Sequence, residues 1–158
     1  MRRIEPDWPD LSDATLIATA ETWLAPHLMG CTRLAEAKSP DLLGILRGGL
    51  PHEQQRRLDT ALPARLDLPA GRSAAIDYDR ETPTLEARAQ HLYGLDGLPP
   101  LAGGRVPLQV SLLSPAGRPI AITGDLHAFW RGGWRDARKD MRGRYPKHAW
   151  PEEPWAAA

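Results

Sequence analysis

Cysteine occurs once in the 158 residues, at Cys31. That excludes an internal disulfide and any cysteine-rich zinc site, and Cys31 reads as a small buried apolar side chain. Long apolar runs are missing too. The opening stretch MRRIEPDWPDLSD lacks the hydrophobic segment of a signal peptide. No stretch approaches the roughly 18 apolar residues of a membrane span, so a cytoplasmic protein without membrane contact is expected. Net charge is absent as well: 20 Lys and Arg balance 20 Asp and Glu. No global field then draws the chain to nucleic acid, and any such attraction must be local. Phenylalanine occurs once, against six tryptophans gathered toward the ends: Trp8 and Trp23, then Trp130, Trp134, Trp150 and Trp155.

The chemical signatures of catalysis are equally scarce. LAGGRVP has paired glycines but neither the spacing nor the Lys-Ser/Thr of a phosphate-binding loop, and reads as a turn. The histidines (His27, His52, His91, His127, His148) show no metal-ligand spacing and no HExxH frame. Ser12 and Ser39 read as helix caps, Ser111 and Ser114 as strand and turn residues. Asp77 and Asp79 flank Tyr78 at a strand end and could act as a carboxylate pair, but solvated turn residues are expected. No nucleophile, base and orienting group come together. Neither catalytic residues, a metal nor a cofactor is expected of this chain.

What is present is a globular composition, 42% hydrophobic and 25% charged, long enough to bury a core without disulfides or metal. The first third carries helix grammar. Asp10 or Ser12 can cap a periodic run through Ala14, Leu16, Ile17, Ala20, Trp23 and Leu24, which Pro26 ends. SPDLLGILRGG has Ser39 as cap, Pro40 in the first turn and Gly48 as stop, and LPHEQQRRLDTALP repeats the scheme between Pro51 and Pro63.

After Pro63 the period changes. ARLDLPAGRSAAIDYD and VPLQVSLLSPAGRPIAIT each place the string PAGR between alternating segments, which predicts two hairpins. Helices are expected after each, at Leu85 to Tyr93 and at Asp125 to about Met141, with Asp125 as cap. The predicted fold is α+β: short N-terminal helices over residues 1–62, then over 63–158 a small, mostly antiparallel sheet of two strand-strand-helix units, ending in an extended Pro/Trp-rich tail.

One local charge signal stands out. From Arg131 to His148, seven cations (Arg131, Arg135, Arg138, Lys139, Arg142, Arg144, Lys147) face two carboxylates (Asp136, Asp140), a local charge of +5 on a neutral chain. Arg131, Arg135, Arg138 and Arg142 fall at helical spacing and would form one stripe. A row of guanidinium groups suits phosphates, while Trp130, Trp134, Tyr145 and Trp150 could stack on bases or pack in the core. The plain alternative is a solvated helix face. Trp130 is expected to be buried and the stripe exposed, so that losing Arg138 and Arg142 together would cost little stability. In the tail, Tyr145, Trp150 and Trp155 are expected to pack while Lys147 and His148 face water.

These segments carry a family resemblance. LLSPAGRP leads to Asp125-Leu126 and Phe129-Trp130. A continuous run Arg138-Lys139-Asp140-Met141-Arg142-Gly143-Arg144-Tyr145-Pro146-Lys147-His148 follows, then Trp150-Pro151. This resembles the C-terminal signature of HrpB-type ATP-dependent helicases of the DEAH/RHA group, with Asp140 where Glu is common and Ala149 in place of a proline. The upstream segment DLLGILRGGLPHEQQRRLDTALPARLDLPAGRSAAIDYD is similar to the same family, so the likeness spans about residues 8–154. It implies the tail of a longer RNA helicase whose motor lobes would bind ATP and magnesium. The P-loop and DExH box of such a motor are absent from this sequence. Two roles follow as expectations: an accessory domain contacting RNA or single-stranded nucleic acid, or a protein-interaction domain docking on the helicase core or an outside partner.

Overall fold

A computed structural model of the chain describes residues 1–29, 41–69 and 71–157. Cys31, the Ser39 cap and Pro40 lie outside the described residues. The chain divides into two compact units, Met1–Thr60 and Ala61–Ala158.

The first unit is helical. Helices α1 (Asp13–Ala18) and α2 (Ala20–Trp23) are followed by a 3-10 turn at Ala25–Leu28, where Pro26 cannot continue the α-helical ladder. Asp10, not Ser12, supplies the side-chain bond at the start: its carboxylate accepts from the Ser12 amide at 3.0 Å, and this bond foremost holds its pKa at about 2. Helix α3 (Leu42–Gly48) is capped by Asp41, whose carboxylate accepts from the Gly44 amide at 2.9 Å. Helix α4 (His52–Ala61) follows Pro51. Glu53 in its first turn complements the helix dipole. None of the four helices has a buried residue. Short helices of this kind depend on packing for their stability, and Trp8 and Leu50 are the fully buried apolar side chains among the described residues of this unit.

The second unit holds a five-stranded sheet in sequence order: β1 (Arg65–Leu68), β2 (Arg72–Asp77), β3 (Thr84–Arg88), β4 (Gln109–Leu113) and β5 (Pro119–Thr123). All neighbours are antiparallel except β3 and β4. The β1–β2 and β4–β5 connections fall at the two PAGR strings of the sequence, with Gly71 at φ 67° and Gly117 at φ 77°. A side chain at either position would strain the left-handed backbone. A parallel pair requires a crossover, and residues 89–108, including the Pro/Gly-rich loop, provide it.

The helix expected from Leu85 to Tyr93 is instead β3 followed by a 3-10 turn at Ala89–His91. Leu85 and Ala87 are buried while Glu86 and Arg88 are exposed, which is a strand period. With β2 on one side and β4 on the other, its backbone groups are satisfied by the sheet, and that pairing overrides the helix-forming Leu, Glu and Ala. The first unit of the expected pair is thus three strands; the second is two strands and helices.

Those helices close the core. Leu68, Ile76, Leu85, Ala87, Val110 and Leu112 on one face of the sheet pack with Leu126 and Trp130 of α5 (Leu126–Arg131) and with Trp134 and Met141 of α6 (Trp134–Arg144). Asp125 caps α5, accepting from the Ala128 amide at 2.8 Å. One continuous helix was expected here; Gly132 and Gly133 divide it in two, the Gly132 backbone leaving helical geometry at ψ −86°.

Candidate nucleic-acid interface

Helix geometry sorts the side chains of α6. At about 100° per residue, Lys139 and Arg142 lie about 40° and 20° to either side of Arg135, so the three share one face. All three are exposed. Among the described residues none of them makes a side-chain hydrogen bond or ion pair. With Gly132, Asp136 and Arg138 they line an open depression of about 610 Å³. Trp134 and Met141 lie about 100–120° away and are buried. Arg138 falls between the two faces, and its environment is intermediate too.

The expected stripe is therefore shorter than the sequence suggested. Arg131 sits on α5, beyond the glycine break, and its guanidinium donates to Asp96 at 2.7 Å and to Nδ1 of His127 at 2.9 Å. The same group lies 4.4 Å from the ring centre of Trp155. Hydrogen bonding from Arg131, foremost, holds the Asp96 carboxyl below its usual range. Arg138 donates through Nε to the Trp150 carbonyl at 2.7 Å and pairs with Glu152 at 2.9 Å, with only 21% of its side chain exposed. It fastens the tail. This overturns the expectation that Arg138 is a free solvated charge. Arg144, about 180° from Arg135, pairs with Asp140 at 3.0 Å. Lys147 and His148 face solvent beyond the helix.

Trp130, Trp134, Trp150 and Tyr93 are packed and their polar atoms satisfied. Trp130 and Trp134 meet edge to face with ring centres 5.0 Å apart, and Trp134 lies 6.0 Å from Trp150. The indole of Trp130 donates to the Leu95 carbonyl at 2.8 Å, that of Trp134 to Pro151 at 2.9 Å, and that of Trp150 to Tyr145 at 2.9 Å. Tyr145 is half-buried, edge-on to His148. Tyr93 completes the cluster against Trp130 and Trp134, donating to the Ala149 carbonyl at 3.1 Å, and burial raises its pKa. The Pro154 carbonyl accepts from the Gly94 amide at 2.8 Å. The segment from Ala149 to Trp155 is thus a strap across α5, α6 and the crossover, made of the proline-stiffened backbone that the sequence places there.

Asp96, Glu152 and the Trp150 carbonyl were not readable as partners of the stripe. Asp96 lies 35 residues from Arg131, and no local spacing announces so distant a pairing. Elsewhere, Asp77 accepts from Arg80 at 2.9 Å and from the Asp79 amide at 3.0 Å, making a turn, not a carboxylate dyad. Among the described residues no cluster of three or more His, Cys, Asp or Glu is arranged to hold a metal, and no helix is long and apolar enough to cross a membrane.

Comparison with known proteins places this architecture. The family model of the ATP-dependent helicase C-terminal region, HrpB_C, matches residues 23–154. The chain is 48% identical over 151 residues to the ATP-dependent RNA helicase HrpB of Escherichia coli strain K12, covering 95% of this chain and 19% of that protein. Its fold superposes on the crystal structure of the E. coli DExH-box NTPase HrpB with a TM-score of 0.86 at 46% identity, over 96% of this chain and 19% of that one. It also matches a crystal structure of the E. coli DEAH/RHA helicase HrpB with a TM-score of 0.70 at 46% identity, over 91% and 18%. This chain spans about a fifth of the length of these relatives. It belongs to the HrpB-type ATP-dependent helicase C-terminal family, as a C-terminal domain without the motor.

Proposed function

We propose that this chain is the accessory domain of an HrpB-type RNA helicase and contacts single-stranded RNA through the α6 face of Arg135, Lys139 and Arg142. The observation that carries the reading is the pairing pattern. On a chain with no net charge, the cations of this face have no carboxylate partner among the described residues, whereas Arg131, Arg138 and Arg144 each have one. Unpaired guanidinium and ammonium groups on a helix offer phosphates charge-assisted hydrogen bonds without an ion pair having to be broken first. The E. coli relative is an RNA helicase, which supports RNA as the polyanion, and ATP with magnesium would serve the motor of the longer parent protein. Titration with labelled single-stranded RNA tests this. Three phosphate contacts predict a log–log salt slope of about −2, so raising salt from about 50 to about 200 mM should weaken binding roughly 15- to 20-fold. Absence of binding at the lower salt contradicts the reading.

A second reading rests on the helical unit. Leu11, Ile17, Met29, Leu42 and Leu43 are exposed there, and Leu16, Trp23, Ile45, Leu46 and Leu50 contribute to a groove of about 1030 Å³. Such apolar exposure suits docking on the helicase core, in line with relatives that carry this region on a far longer chain. Salt-insensitive capture of a separately expressed motor region, lost on Ile17→Asp with Leu43→Asp, would favour it.

A further inference from the structure

The same α6 face carries a second consequence, which rests on the RNA-contact reading above. We infer that it is a backbone clamp: it grips about three consecutive phosphates of a strand and does not discriminate among bases. The strength of the grip follows from the helix. Arg135 to Arg142 spans about 10 Å at 1.5 Å per residue, and each of its three cations can neutralise one phosphate of a strand laid along the helix.

The indifference to bases follows from what surrounds those cations. Reading unpaired bases depends on aromatic rings to stack on and on side chains that bond base edges. The tryptophan rings are spent elsewhere, and Tyr145, just past the end of α6, is half-buried with its ring edge-on to His148. Trp130, Trp134 and Trp150 are each no more than 6% exposed, with every indole N–H already bonded to a carbonyl. Trp155 is half-buried, with the Arg131 guanidinium over its ring. The amide side chains that pair with adenine are missing as well: the sequence contains no asparagine, and no glutamine lies on α6. Arginine can read guanine in a duplex major groove, but the deep, narrow major groove of an RNA duplex does not admit side chains. The depression is thus lined by Gly132, one carboxylate (Asp136) and four cations, a surface complementary to the sugar-phosphate chain.

The test is fluorescence anisotropy with the full 158-residue chain and four labelled oligonucleotides of about 20 nucleotides, a practical length for single-strand site sizes: oligo-U, oligo-A, mixed-sequence RNA, and DNA of the mixed sequence, all at about 50 mM salt. One stacked base or one bidentate base contact changes affinity about fivefold or more. The inference predicts dissociation constants within about threefold of one another. It also predicts loss of binding by at least about tenfold in Arg135→Ala/Lys139→Ala/Arg142→Ala, and no change in Arg144→Ala. A spread above about threefold overturns the inference while leaving RNA contact at this face intact. Binding that survives the triple change, or no binding to any oligonucleotide, overturns the RNA-contact reading and the inference with it.

Discussion

The two sides of helix α6 share a backbone and differ in everything else. On one, Trp134 and Met141 are buried against the sheet. The Trp134 ring meets Trp130, Phe129, Tyr93 and Trp150 at centroid distances of 5.0 to 6.4 Å. On the other, Arg135, Lys139 and Arg142 are exposed and unpaired among the described residues. Burial of large apolar area stabilises a fold, whereas solvated charge contributes little to it. Such a row of unpartnered cations is what the proposed RNA contact would use. Arg138, between the two sides, has one function in each: its guanidinium is charged, but it is bonded to the chain's own tail.

Substitutions can break this division. The largest effect is expected from Trp134→Ala, which removes the largest fully buried side chain of the core. Urea melts should show a loss of about 3–5 kcal/mol, and an unchanged midpoint would mean that the aromatic cluster does not organise this unit. Next comes Arg138→Ala. It deletes the bond to the Trp150 carbonyl and the Glu152 pair, and should cost about 1–2 kcal/mol. Arg142→Ala should be neutral within about 0.5 kcal/mol. Equal costs for the two arginines would remove the distinction between strap and stripe.

A smaller effect concerns pH. The Asp96 carboxyl is held below its usual range, chiefly by its bond from Arg131. Its contribution is therefore present above the unfolded value and is lost as pH falls through the lowered folded value, which begins below about pH 4. Asp96→Asn should leave the Arg131–Trp155 contact less anchored at neutral pH and should flatten the acid limb of the melting temperature. A limb identical to that of the unchanged protein would place the acid sensitivity elsewhere.

How much of this was legible depended on distance along the chain. Local grammar was readable: the two connections at PAGR with their left-handed glycines, the Asp125 cap, the α+β class with its mostly antiparallel sheet, and the family signature from Asp125 to Pro151. Leu85 to Tyr93 misled because LEAR is made of helix formers and becomes part of a strand through neighbours contributed by residues 76–77 and 109–113. Gly132-Gly133 stood in plain view, yet the period of the flanking residues continues across it. The narrowing of the stripe was least visible. Arg131 and Arg138 look like Arg135 and Arg142 in sequence, and only tertiary partners set them apart.

The most direct measurement pairs stability with binding in one variant. Arg135→Ala/Lys139→Ala/Arg142→Ala is melted in urea and titrated with single-stranded RNA from the same preparation. The account predicts a folding free energy within about 1 kcal/mol of the unchanged protein, together with a loss of RNA affinity of at least about tenfold and a salt slope falling from about −2 toward zero. A stability loss on the scale of Trp134→Ala, or RNA affinity and salt slope left as they were, would contradict it.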